Sequence, residues 1–239
     1  MDMQNGLSKM TGLRGVVQQA TFILMLGVSM SANAGLFGFG GDSWKEEVQL
    51  HDGSKIIVER SQNHGGRHEI GQSPPIKEHD ITFTLPGSNK PITWKDEYSD
   101  DVGHSNFELL ALHILNGTSY ITAAPFGCLA YNKWGRPNPP YVIFKYDGKT
   151  WQRIALPEFP VELKEINLLI DTYGHYDVEQ EIKSGFVSYE SVTKLNGTLT
   201  QPEFKTILRE ALVKGWCLIL NPSSKAPLQM NPMPEKKMK

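Results

Sequence analysis

Four glycine-centred turns punctuate the first two thirds of the chain: Asp52-Gly53, Pro86-Gly87, Asn116-Gly117 and Asp147-Gly148. Each sits between short runs rich in Ile, Val, Phe, Tyr and Thr. Such dipeptides favour the positive φ angles of tight hairpin turns, and the flanking alternation is that of half-buried strands. Val48 and Leu50 answer Ile56 and Val58 across the first turn, and Ile81, Phe83 and Leu85 answer Ile92 and Trp94 across the second. Phe107 to Leu115 is apolar enough to be helix or strand, and the Asn116-Gly117 turn with Tyr120-Ile121-Thr122 beyond it favours strand. Val142, Phe144 and Tyr146 then pair with Trp151 and Ile154. Four consecutive hairpins form an antiparallel meander that must close on itself or pack on a second sheet. The expected fold class is therefore α+β, mainly antiparallel β, in a sandwich or an open barrel over residues 44–171, with a short C-terminal helical segment over 172–220.

That helical segment follows from capping chemistry. Asp177 can cap a helix ending before Gly185, and Ser188 a second ending at Asn196-Gly197. Thr200 and Glu203 have the capping-box spacing ahead of Phe204, Ile207, Leu208, Ala211 and Leu212, which predicts a helix over Gln201–Val213 docked on the sheet. A further strand is possible at Asn167–Ile170, and 221–239, rich in Pro, Ser, Lys and Met, reads as a tail.

The first 34 residues have the layout of a secretory signal. Lys9 and Arg14 precede an apolar stretch over 20–28, and Ala32-Asn33-Ala34 supplies small residues for a peptidase. The apolar run is below the roughly 20 residues needed to span a bilayer. Cleavage after Ala34 is expected to give a periplasmic or secreted protein without a transmembrane segment, starting with a flexible lead-in over 35–43. Removing Asp2, Lys9 and Arg14 from 24 basic and 26 acidic residues leaves 22 and 25, a net charge of −3. Nothing in that balance points to nucleic acid. In an oxidising compartment the two cysteines, Cys128 and Cys217, invite a disulfide; two buried free thiols are the alternative.

Two stretches are candidates for function. From Tyr131 to Tyr141, three prolines, Pro137, Pro139 and Pro140, stiffen a loop that carries Trp134 and Arg136. Tyr, Trp and Arg dominate binding hot spots, and a stiff loop loses little entropy on docking, so Tyr131, Trp134, Arg136 and Tyr141 form a candidate recognition surface. The competing reading folds Trp134 over the core as a cap. The second stretch holds His64, His68, Glu69, His79 and His104, side chains that could ligate zinc for a metal-assisted hydrolase. Their spacings match no recurrent metal site, and no other cofactor is implied. Gly38 to Gly40 and Gly148-Lys149-Thr150 are fragments of phosphate-loop patterns without the strand, glycine and helix those loops require.

Trp44-Lys45-Glu46-Glu47-Val48, Gly66-Arg67-His68-Glu69-Ile70-Gly71, the 131–141 stretch and Pro202-Glu203-Phe204-Lys205-Thr206-Ile207-Leu208-Arg209-Glu210 resemble segments of uncharacterised signal-peptide-bearing proteins of Gram-negative bacteria. The resemblance implies a periplasmic or secreted address and brings no activity. The resulting expectation is a non-enzymatic exported β-rich module that binds a partner protein or an envelope component, with the metal-assisted hydrolase as its alternative.

Overall fold

The structure is a computed structural model and describes residues 41–171, 175–213 and 217. The signal-like segment, most of the lead-in and the tail lie outside the described residues. Two sheets carry the fold. The first contains β1 (Gly41–Gln49), β2 (Lys55–His64), β3 (Ile76–Thr84) and β4 (Pro91–Asp96), each antiparallel to the next, with order β4-β3-β2-β1. The second contains β5 (Phe107–Leu115), β6 (Thr118–Pro125), β7 (Val142–Tyr146) and β8 (Trp151–Ile154) in chain order. All four expected hairpins form, and the sheets do not close into a barrel. The two-residue β9 (Phe186–Val187) adds to β1 in parallel, a strand too short for periodicity to signal.

The inner faces meet in one core. Val48, Leu50, Val58, Ile81, Phe83, Ile92 and Trp94 from the first sheet pack with Phe107, Leu109, Leu112, Ile114, Ile121, Ala123 and Val142 from the second. The outer face of the first sheet is polar, which is why β1, β2 and β4 alternate so plainly. β5 and β6 do not alternate, because the second sheet is covered on both faces. Its outer side, with Leu110, Tyr120, Tyr141 and Ile143, meets Phe159, Leu163, Ile170, Phe204 and Ile207.

Among the described residues there are three α-helices: α1 (Gly127–Lys133), α2 (Tyr176–Lys183) and α3 (Tyr189–Asn196). The last starts at Ser188, whose Oγ accepts the Ser191 N–H at 3.1 Å as its sequence anticipates. α2 begins two residues earlier than expected, after His175 rather than Asp177. Val178, Ile182, Val192 and Leu195 pack on Trp44, Leu169 and Val187.

The helix expected over Gln201–Val213 is a correction. Only a single 3₁₀ turn, Pro202–Phe204, forms there. A helix would tie the Ile207 N–H to the Glu203 carbonyl, but that carbonyl accepts the Tyr141 hydroxyl at 3.0 Å and Ile207 N–H donates to Lys164 O at 2.8 Å. The Leu208 N–H goes to the Tyr141 oxygen at 3.2 Å. The apolar residues still dock, as Phe204 and Ile207 are buried, while tertiary partners replace the helical hydrogen bonds. The possible strand at 167–170 is likewise irregular, joined to the edge of β5 by one backbone bond, Leu168 N–H to Leu110 O at 3.1 Å, and by the Asn167 side chain.

Candidate functional site

The 131–141 stretch begins as helix, not loop. α1 runs to Lys133, and Tyr131 is buried on its inner side. Trp134 caps the helix and is half-buried, its ring 4.6 Å from that of Phe107 and its Nε1 donating to Asn106 Oδ1 at 3.2 Å. It props the core, as the competing reading of its sequence describes. Arg136 adopts a positive φ of 52°, is exposed, and donates from Nε to Asn132 Oδ1 at 2.7 Å. Tyr141 is buried; its hydroxyl lies 3.0 Å from Glu203 O and 3.1 Å from Thr206 O while accepting from Leu208 N–H. Burial pushes its pKa up to about 12, so the hydroxyl remains a donor at any physiological pH.

Two pins hold the C-terminal segment across this region. Cys128 and Cys217 are disulfide-bonded, with Cα atoms 5.7 Å apart. Asn138 pairs with Leu212 like a strand neighbour, accepting its N–H at 2.6 Å and donating to its carbonyl at 3.0 Å. Between the loop and the end of β8 lies a cavity of about 440 Å³, walled by Pro137, Pro139, Tyr141, Ile143, Arg153 and Ile154 and continuing to Leu156. Arg153 is its one charged lining residue among the described residues; the guanidinium donates to Trp134 O at 3.2 Å and lies 5.6 Å from the centre of that ring.

The four candidate histidines each have a separate partner, and Glu69 is exposed. His64 ends β2 with Nδ1 3.8 Å from Asp42. His68 and Glu69 are exposed, and His68 Nδ1 lies 2.9 Å from Gly66 O. His79 is buried in β3, where Nε2 lies 2.9 Å from Phe107 O and 3.3 Å from the Asp96 carboxylate. His104 Nδ1 is 2.6 Å from Ser105 O, and its ring meets Phe126 edge-on. Among the described residues no group of three or more His, Cys, Asp or Glu side chains is placed to hold a metal.

The polar feature that composition conceals is a row across the inner face of the first sheet. Register places Asp42, Gln62, His79 and Asp96 side by side on β1 to β4. One step inward, Glu46 and Arg60 form a buried ion pair at 3.0 Å. Glu46 also accepts from Trp44 Nε1 at 3.0 Å and Leu169 N–H at 2.6 Å, and Arg60 donates to Leu169 O at 2.7 Å over the Trp44 ring. These bonds satisfy the buried charges and tie the 167–171 segment to the sheet. Beside them, Glu108 accepts the Asp171 N–H at 2.9 Å. Burial raises both carboxyl pKa values, that of Glu108 well above the ordinary range and reinforced by the neighbouring Asp171. Asp171 and Gln62 face a second cavity of about 290 Å³ shared with Asp42, His64, Glu179 and Lys183. The signal for Glu46 and Arg60 lies in the alternation itself: continued two residues from Val48 and Val58, it puts a charge on the core side of each strand.

The fold defines an antiparallel two-sheet α+β protein with its second sheet covered on both faces. No protein-family model matches the chain. No curated protein and no solved structure matches it either.

Proposed function

We propose that the chain is an exported β-sandwich binding module whose contact surface is the groove between the 137–141 loop and the end of β8. The observation that carries this reading is the 440 Å³ cavity at that place, walled by two prolines, Tyr141 and aliphatic side chains together with the polar Asn138 and Arg153. A concave wall fixed in advance lowers the entropy lost on binding. The disulfide at Cys128 and the Asn138–Leu212 pairing supply that fixation. A disulfide also suits an oxidising compartment and hence export. Among the described residues no helix is long and apolar enough to cross a membrane. Of the candidate contact residues, Tyr141 lines the groove, Arg136 directly precedes its Pro137 wall, Trp134 lies against its Arg153, and Tyr131 is buried in α1. The partner is a protein or an envelope component.

Photo-crosslinking residues placed singly at Arg136 and Arg153, with Glu59 on the exposed face of the first sheet as control, test the surface in intact cells. A discrete adduct from the first two positions and none from the third is the expected result. Identical adduct patterns at all three, or none at any, would remove the groove as the contact.

A further inference from the structure

β8 closes the open side of the second sheet: among the described residues no strand pairs with its outer edge. It is four residues long and faces β7 in the register Ile143↔Ile154, Phe144↔Arg153, Lys145↔Gln152 and Tyr146↔Trp151. The turn before it is closed by Asp147 N–H to Thr150 O at 3.1 Å. Counting the antiparallel alternation from that bond directs the backbone groups of Gln152 and Ile154 at β7 and those of Trp151 and Arg153 outward. An edge with unspent N–H and C=O groups is a template for another strand.

The β4 edge of the first sheet and the β5 edge of the second are treated differently. On β4 the Thr93 carbonyl accepts the Trp151 indole N–H at 2.8 Å, and on β5 the Asn167 amide occupies both backbone groups of Leu112. Of these three edges, β8 keeps a cavity alongside. Arg153 and Ile154 point to its two sides, Arg153 toward the Trp134 ring and Ile154 toward the cluster containing Tyr141 and Ile143. The acidic side chains flanking the strand are already engaged, Asp147 by the N–H groups of Lys149 and Thr150, and Glu158 by that of Ala155. Lys149, in the turn directly before β8, adds positive charge at the start of this edge.

We infer that β8 accepts an extended peptide segment of another protein as an added strand, in which acidic side chains face Arg153 and the alternating apolar ones enter the groove beside Ile154. The inference rests on the proposed binding surface and names its partner's chemistry. A second copy is a poor occupant, because two-fold pairing of so short an edge brings the Arg153 guanidinium groups together.

The probe is the peptide acetyl-Thr-Glu-Val-Glu-Val-Glu-Thr-amide, titrated into the full mature chain. Saturable binding below about 1 mM is expected, with slowed exchange of the Trp151 and Arg153 amides. N-methylation of alternate peptide amides, Lys in place of Glu, and Arg153→Glu should each weaken binding at least about ten-fold, since each removes either the ladder or the charge match. Arg153 is exposed, so the variant is expected to keep the native far-ultraviolet spectrum. No saturation by 1 mM, or binding indifferent to N-methylation, or protection at strands other than β8, overturns the inference; so does concentration-dependent dimerisation through β8. Adducts at Arg136 and Arg153 without peptide binding would leave the groove as the contact and refute strand addition alone.

Discussion

Three asparagines act in this protein as pieces of strand. Asn138 pairs with Leu212, Asn167 with Leu112, and Asn196 with Leu168 and Ile170, each through both amide atoms. Asn167 also donates to Gln49 O at 2.9 Å, so it bridges β5 to β1. Asn167→Leu leaves the Leu112 groups without partners and should cost about 2–4 kcal/mol in urea unfolding, by the usual penalty for orphaned buried groups. The Glu46–Arg60 pair follows the same logic with charge. Glu46→Met should cost about 3–5 kcal/mol because it strands Arg60, and Glu46→Met with Arg60→Met should recover much of that loss. His113 sets the acid limb. Burial lowers its pKa from 6.5 to about 4, so its contribution is complete above pH 6.5 and falls away as pH drops toward 4. By linkage the loss approaches about 3 kcal/mol, and His113→Leu should flatten the stability profile in that window. Glu108 has the opposite sign: its raised pKa makes its share complete below 4.5 and lost as pH rises through the folded value, so Glu108→Gln should gain stability at pH 8 relative to pH 5.

The element most dependent on its surroundings is the C-terminal segment over 205–213. Its backbone is satisfied by Tyr141, Lys164 and Asn138, and Arg209 clasps the carbonyls of Phe159 and Pro160 from the other side. The disulfide closes a span of 89 residues between Cys128 and Cys217. Replacing both cysteines by serine should lower stability by about 2–4 kcal/mol. Amide exchange should quicken first around Leu212, while β5 and β6, covered on both faces, keep their protection. Uniform acceleration across the second sheet would mean that the bridge holds the whole sandwich and not this segment alone. The capping box at Thr200 and Glu203 illustrates how such an element misleads: local chemistry favours a helix, and the Tyr141 hydroxyl, 62 residues away, takes the carbonyl that the helix needs.

For the whole molecule, the signal pattern predicts that protein recovered from outside the cytoplasm starts at Gly35, which N-terminal sequencing reads directly; a start at Met1 there would reject cleavage. The hairpins and the alternation of the first sheet's strands were legible because tight turns and period-two alternation are local properties, complete within a dozen residues. Ser188 and its helix were legible for the same reason, while the number of cysteines left both a disulfide and two free thiols open, and the structure shows the disulfide. The structure decided what depends on distant partners: that the sheets stack without closing, that Tyr131 and Trp134 serve the interior while Arg136 and Arg153 remain outside, and that the five histidine and glutamate candidates disperse. It also placed Glu46, Arg60, Glu108 and Asp171 together, from β1, β2, β5 and a loop that no sequence period connects. Turns and strand faces are written residue by residue, whereas a groove, a buried ion pair or a displaced helical bond exists only once the chain has brought remote backbone and side chains within hydrogen-bond reach.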